Sequence, residues 1–186
     1  MYIPEVFKYF SLISAPLFGV IALSIVKNTP DFSLSKHTIS KSVYFIKHPT
    51  KMFIFRSNFI IKAVLDLGFI FYLSSHLRMS LQSPIPSLMI LSAVLFGSLS
   101  YFIMGRYTTV HRIIVFTYGV MMGLAGIWLA QMTGSANFVK LTISLVILSN
   151  FLMISFFLAK KINVFVQVIC MSMLYSWLLL LVFGYL

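Results

Sequence analysis

Three residues in one apolar stretch could do chemistry. Asn58, Lys62 and Asp66 follow one another at steps of four, so on a helix they stand one above another on a single face. Asp66 is one of only 3 acidic residues in the chain. It falls near the middle of the run from Arg56 to Arg78. A carboxylate at that depth in a bilayer costs roughly 3 kcal/mol or more unless it is paired, protonated or wetted. Lys62, one turn away, is the available counter-ion. The pair can be a buried lock between helices, or a proton or substrate contact at mid-depth.

A second group opens a later apolar run. His111 and Arg112 lie close to Arg106. At the level of the headgroups, long basic side chains snorkel to phosphate. With the free N–H groups of a helix start, the same residues could form an anion or phospho-headgroup site. His37 and Ser40, in the first connection, could face the interface and are candidates for acid–base or hydroxyl chemistry there.

Other chemistries are excluded. There is no HExxH, Walker loop, CxxC or GxSxG. The acids are too few for a paired-carboxylate site, and the histidines are not paired at matched depths for haem. No metal site and no cofactor is expected. Cys170 is the single cysteine, so no intramolecular disulfide can form.

These residues need elements to position them. The chain has 186 residues, of which 60% are hydrophobic and 9% charged. A soluble domain carries about 25% charged residues. Continuous apolar runs, rather than alternation in segments of about ten, argue against a β-barrel. The fold class expected is all-α: a single domain, a polytopic integral membrane protein built as a bundle of six transmembrane helices. The spans are expected at about 7–26, 56–77, 87–104, 110–132, 138–159 and 162–185, each near the roughly 20 residues a bilayer requires. The first run lacks a basic leader and cleavage site and is read as a retained helix. Pro16 is expected to kink it.

The loop over about 27–55 mixes Lys36, Lys41, Lys47 and Lys51 with Val43, Tyr44, Phe45 and Ile46. That pattern suits a segment lying at the headgroup level. Net charge is +11, and its distribution decides what it means. Lys27, Lys36, Lys41, Lys47, Lys51, Arg56, Arg106, Arg112, Lys160 and Lys161 would share one side, against Lys8, Arg78 and Lys140 on the other. The positive-inside rule then makes loop 27–55 cytoplasmic and leaves both termini outside, in a plasma or inner membrane. The charge is explained by topology, so no nucleic-acid partner is expected. The expected partners are membrane lipids, with anionic headgroups at the basic side.

Gly119, Gly123, Gly126 and Ala130 form a small-residue stripe. It can pack helices within one chain or join copies or other subunits in a homo- or hetero-oligomer. Asn150 and Gln167 are expected to hydrogen-bond between helices.

The N-terminal third carries a resemblance. Ala15-Pro-Leu-Phe-Gly-Val20, then Asn28-Thr-Pro-Asp-Phe-Ser-Leu-Ser-Lys-His-Thr-Ile-Ser40, then Asn58 and the helix through Ala63 and Gly68, resemble the domain-of-unknown-function 998 family. That family is related to the Frag/DRAM group of six-helix membrane proteins. Phe32-Ser33, Thr38-Ile39-Ser40 and Thr109-Val-His111 match its motif positions. The Lys-rich loop departs from it, where the family has a Gly-containing stretch. The resemblance implies the six-helix architecture and places the first loop outside. The charge count of this chain instead predicts that this loop is inside.

The functional expectation is a non-enzymatic membrane protein that binds or moves a small or lipidic ligand within the bundle. A membrane-embedded lipid-modifying enzyme and a structural or assembly subunit of a membrane complex are the alternatives.

Overall fold

A computed structural model of the chain describes residues 3–159 and 161–186. Lys160, counted above on the basic side, lies outside the described residues. A short 3-10 helix (Glu5–Tyr9) runs into α1 (Phe10–Lys27). A second 3-10 helix (Ile39–Tyr44) sits in the first connection. Then come α2 (Pro49–His76), α3 (Pro84–Ser98), α4 (Thr108–Met132), α5 (Ala136–Leu158) and α6 (Val164–Gly184). The described residues contain no strand.

Local chemistry sets the helix ends. At the end of α1 the Asn28 amide donates to Ser24 O (3.0 Å) and the Thr29 hydroxyl to Ile25 O (2.7 Å). These bonds satisfy carbonyls that the helix itself leaves open. Helix α2 starts seven residues earlier than the expected 56, because His48 caps it through Nδ1, which accepts from Thr50 N (3.2 Å). Pro49 takes the first helical position, where a missing N–H costs nothing. The stretch 49–55, expected as loop, is therefore helix. At its far end Arg78 adopts φ 53, with Met79 N bonded to Ser74 O (2.8 Å) and Arg78 N to Ser75 O (3.3 Å). That is a Schellman stop built on arginine rather than glycine. Ser135 and Asn163 cap α5 and α6 through their side chains.

Helix α3 is shorter than expected and shifted, ending at Ser98 rather than 104. The apolar run continues, but Leu99, Ser100 and Tyr101 close three-residue turns on Phe96, Gly97 and Ser98. At about 1.5 Å per residue, α3 spans about 22 Å, less than the roughly 30 Å hydrocarbon thickness. Four helical segments among the described residues are long and apolar enough to cross a membrane: Glu5–Lys27, Thr108–Met132, Ala136–Leu158 and Val164–Gly184. Helix α2 has 28 residues and is the least apolar of the six.

Each helix packs on its neighbours in sequence, and α6 returns against α1, so the six form a ring. Two apolar clusters fill it. One gathers Leu12, Phe69, Leu73, Leu129, Trp177 and Leu181. The other gathers Phe18, Phe55, Phe59, Leu99, Ile114 and Val164, with Ile39 and Ile46 from the first connection. That connection is a folded cap on the bundle end. Val164 N bonds Leu34 O and His37 O (3.2 and 2.9 Å), and the Asn163 amide bonds Ser35 O (3.0 Å). Large apolar side chains also cover the outside, among them Phe116, Phe151, Leu158 and Phe183. In water such a surface is an aggregation liability; against lipid it carries no such cost.

Candidate functional site

The site is built on α2, which lies between α1 and α3. Counting along the helix, Lys62 sits about 20 Å from either end at 1.5 Å per residue. It also falls at the seam between the two apolar clusters, above Phe59 and below Phe69. The Lys62 ammonium pairs with Oδ2 of Asp66, the one ion pair among the described residues. Their side chains are 9% and 15% exposed. The four-residue spacing thus delivers the contact it predicts.

Two further helices complete the cluster. The Ser14 hydroxyl of α1 donates to Asp66 Oδ1 (2.5 Å), and also lies 3.1 Å from Ser11 O. Both carboxylate oxygens are therefore engaged. From α3, the Phe96 ring lies under the ammonium, with Nζ 5.0 Å from its centroid. Tyr118 of α4 packs its ring against Phe96 (5.2 Å between centroids). A cation over a ring face in a dry setting gains roughly 1–2 kcal/mol.

Asn58 stands one turn below Lys62 and is 1% exposed. Its amide nitrogen donates to Phe18 O of α1 (2.9 Å). Its Oδ1 is buried and has no hydrogen-bond partner. The bond to a carbonyl fixes which end of the amide is nitrogen. No described residue satisfies this oxygen, and a buried acceptor left without any partner costs about 1–3 kcal/mol. The Lys62 ammonium has three N–H groups, and Asp66 takes one of them.

Comparison of the chain with protein-family models, with curated proteins and with solved structures finds no match.

The second candidate group does not converge in the same way. His111 is buried, and its Nδ1–H donates to Phe102 O (2.8 Å). Arg112 follows it on the helix and faces outward, its guanidinium 6.0 Å from the Phe157 ring. Arg106 is exposed and lies 5.3 Å from the Tyr107 ring. In the first connection, His37 Nδ1 accepts from Ser33 N (3.1 Å), and its ring packs between Phe32 and Phe45. Ser40 lies half-buried in the second 3-10 helix.

The small-residue stripe divides. A Cβ added to Gly123 would meet Val146 of α5 at 3.2 Å, and one on Gly126 would meet Trp177 of α6 at 3.6 Å. Gly119 has nothing within 4 Å. The lower stripe therefore serves packing within the chain, supported by Trp177 Nε1 donating to Thr142 Oγ1 (2.8 Å). Neither Asn150 nor Gln167 bonds from one long helix to another as expected. Asn150 turns back to Val146 O in its own helix (2.7 Å), and Gln167 Oε1 accepts from Ile39 N of the cap (2.8 Å). Among the described residues no group of three His, Cys, Asp or Glu side chains could hold a metal.

Sequence reasoning missed Ser14, Phe96 and Tyr118. The available signal was Ser11 and Ser14, three apart in an otherwise apolar helix, where a hydroxyl needs a partner.

Proposed function

We propose that the chain is a six-helix integral membrane protein that binds or moves a small or lipidic ligand, with its polar contacts on the Asn58–Lys62–Asp66 face of α2. Four long apolar helices support membrane residence. A crossing α2, and an α3 extended by the turns that follow it, would make six. That is also the architecture implied by the resemblance to the domain-of-unknown-function 998 family. The excess of basic residues at one end supports a cytoplasmic first connection with both termini outside, in a plasma or inner membrane.

One observation carries the reading. A buried acceptor, Asn58 Oδ1, is unmet one turn from an ammonium with N–H groups to spare. A hydroxyl or similarly small polar group has the chemistry to accept from the ammonium and donate to the amide oxygen. Burying both without a partner costs stability that a purely structural pair has no need to spend.

The test compares three purified proteins in mild detergent by native mass spectrometry: wild type, Asn58→Leu, and Lys62→Met with Asp66→Leu. A bound small molecule or lipid should be present on wild type and absent from both variants, with all three still folded. The same bound species on all three would refute the reading. Nothing bound on any of them would favour an assembly subunit. No observation specifically favours the lipid-modifying enzyme: His37 and His111 each engage Nδ1 with the backbone, which leaves only Nε2 of each ring for other chemistry.

A further inference from the structure

We infer that a groove at the basic end of the bundle, between the first connection and the start of α2, binds the phosphate of an anionic lipid headgroup through Lys47 and Lys51. This site is separate from the Lys62 cluster and does not rest on it. The groove encloses about 200 Å³, and Lys47, His48, Lys51, Tyr44 and Asp31 line it, over a floor that includes Ile46. Ligand pockets for drug-sized molecules run from about 300 Å³ upward. This one suits a single compact group.

The polar atoms already committed narrow its chemistry. Thr29 gives its hydroxyl to Ile25 O, and His48 spends Nδ1 as the cap of α2. Lys51 is steadied by one bond to Asn28 O (3.3 Å), which leaves it other N–H groups. What remains are the ammonium groups of Lys47 and Lys51, the Tyr44 hydroxyl and Nε2–H of His48, a donor set for an anion. Asp31 is the one opposing charge in the lining.

Two features select a lipid rather than a soluble anion. Ile54 stands three residues after Lys51, on the same side of α2, and is 44% exposed, so acyl-compatible surface begins beside the groove. The same end of the molecule carries Lys36, Lys41, Arg56, Arg106 and Lys161, with Asp31 as the only acidic residue in the helix connections there. That excess draws the chain to an anionic leaflet, and the groove gives one headgroup a fixed place.

The experiment titrates the full-length protein, in uncharged detergent, with phosphatidylglycerol, with phosphatidylcholine, or with inorganic phosphate, and follows the melting temperature. Phosphatidylglycerol should give a saturable rise that phosphatidylcholine does not. Lys47→Gln and Lys51→Gln should each weaken its apparent affinity by up to about fivefold, through the loss of one direct ion pair with the phosphate. Lys36→Gln, which removes the same charge outside the groove, should leave the affinity within about twofold. Asp31→Asn should strengthen it, and asparagine tolerates the left-handed backbone at that position (φ 63). Equal losses for Lys36→Gln and Lys47→Gln would mean a diffuse charge effect and overturn the site. An unchanged affinity in Asp31→Asn would place the anion elsewhere. An equal saturable rise with inorganic phosphate at the same concentrations would overturn the lipid assignment. No rise with any of the three would refute the whole inference.

Discussion

Ser14 of α1 reaches Asp66 of α2 across 52 residues of chain and donates to Oδ1 at 2.5 Å. This bond leaves neither carboxylate oxygen bare, and it ties the first helix to the central one at the seam of the core. Ser14 has a fallback, since Ser11 O lies 3.1 Å from the same hydroxyl. Ser14→Ala should therefore cost about 1.5–3 kcal/mol, the value of a hydrogen bond to a charged group. In an Asp66→Leu background the same change should cost little, because the hydroxyl then turns to Ser11. Thermal denaturation in detergent of the four proteins of that cycle measures the difference; equal losses in both backgrounds would show that Ser14 does not act on Asp66.

The Lys62–Asp66 pair makes a second cycle. Asp66→Asn alone leaves a buried ammonium without an anion and should destabilise by about 3–5 kcal/mol. Lys62→Met with Asp66→Leu removes both desolvation costs and should return most of that stability. The readout is the melting temperature of wild type, both single variants and the double. Additive losses in the double would contradict the pairing.

Two glycines should respond in opposite directions. A Cβ on Gly68 would come within 2.6 Å of the Phe10 ring and 3.0 Å of the Phe7 ring, so both rings would have to shift where they pack on α2. Gly68→Ala should destabilise by about 1–3 kcal/mol. Gly119 meets nothing within 4 Å, and Gly119→Ala should stabilise by up to about 1 kcal/mol through the helix backbone alone. A loss at Gly119, with a change in oligomeric size on gel filtration, would instead identify that position as a contact between chains.

Sidedness can be read at the first connection. Lys41 is exposed whereas Ser42 is fully buried, so the reporter belongs at Lys41. In a Cys170→Ser background, Lys41→Cys should resist a membrane-impermeant thiol reagent in intact cells and react after lysis. Labelling of intact cells would place the basic end outside.

The sequence alone was enough for the all-helical class and for approximate positions of six apolar segments, because continuous apolar runs and turn residues are local signals. It also determined that Lys62 and Asp66 could meet, since four residues is one helical turn and needs no knowledge of any other helix. Helix starts were less legible. The true start of α2 depends on His48 capping with Pro49 behind it, and the end of α3 on turns the apolar run does not reveal. Only the tertiary structure decided who else attends the pair. Ser14, Phe96 and Tyr118 come from three other helices, and no spacing rule joins residues across separate segments. The same reason sent Gln167 to the backbone of the cap and Asn150 back to its own helix. It also left Asn58 Oδ1 without a hydrogen-bond partner among the described residues. Hydrogen bonds between segments are set by how helices rotate and approach, and that follows from the packing of all the side chains together.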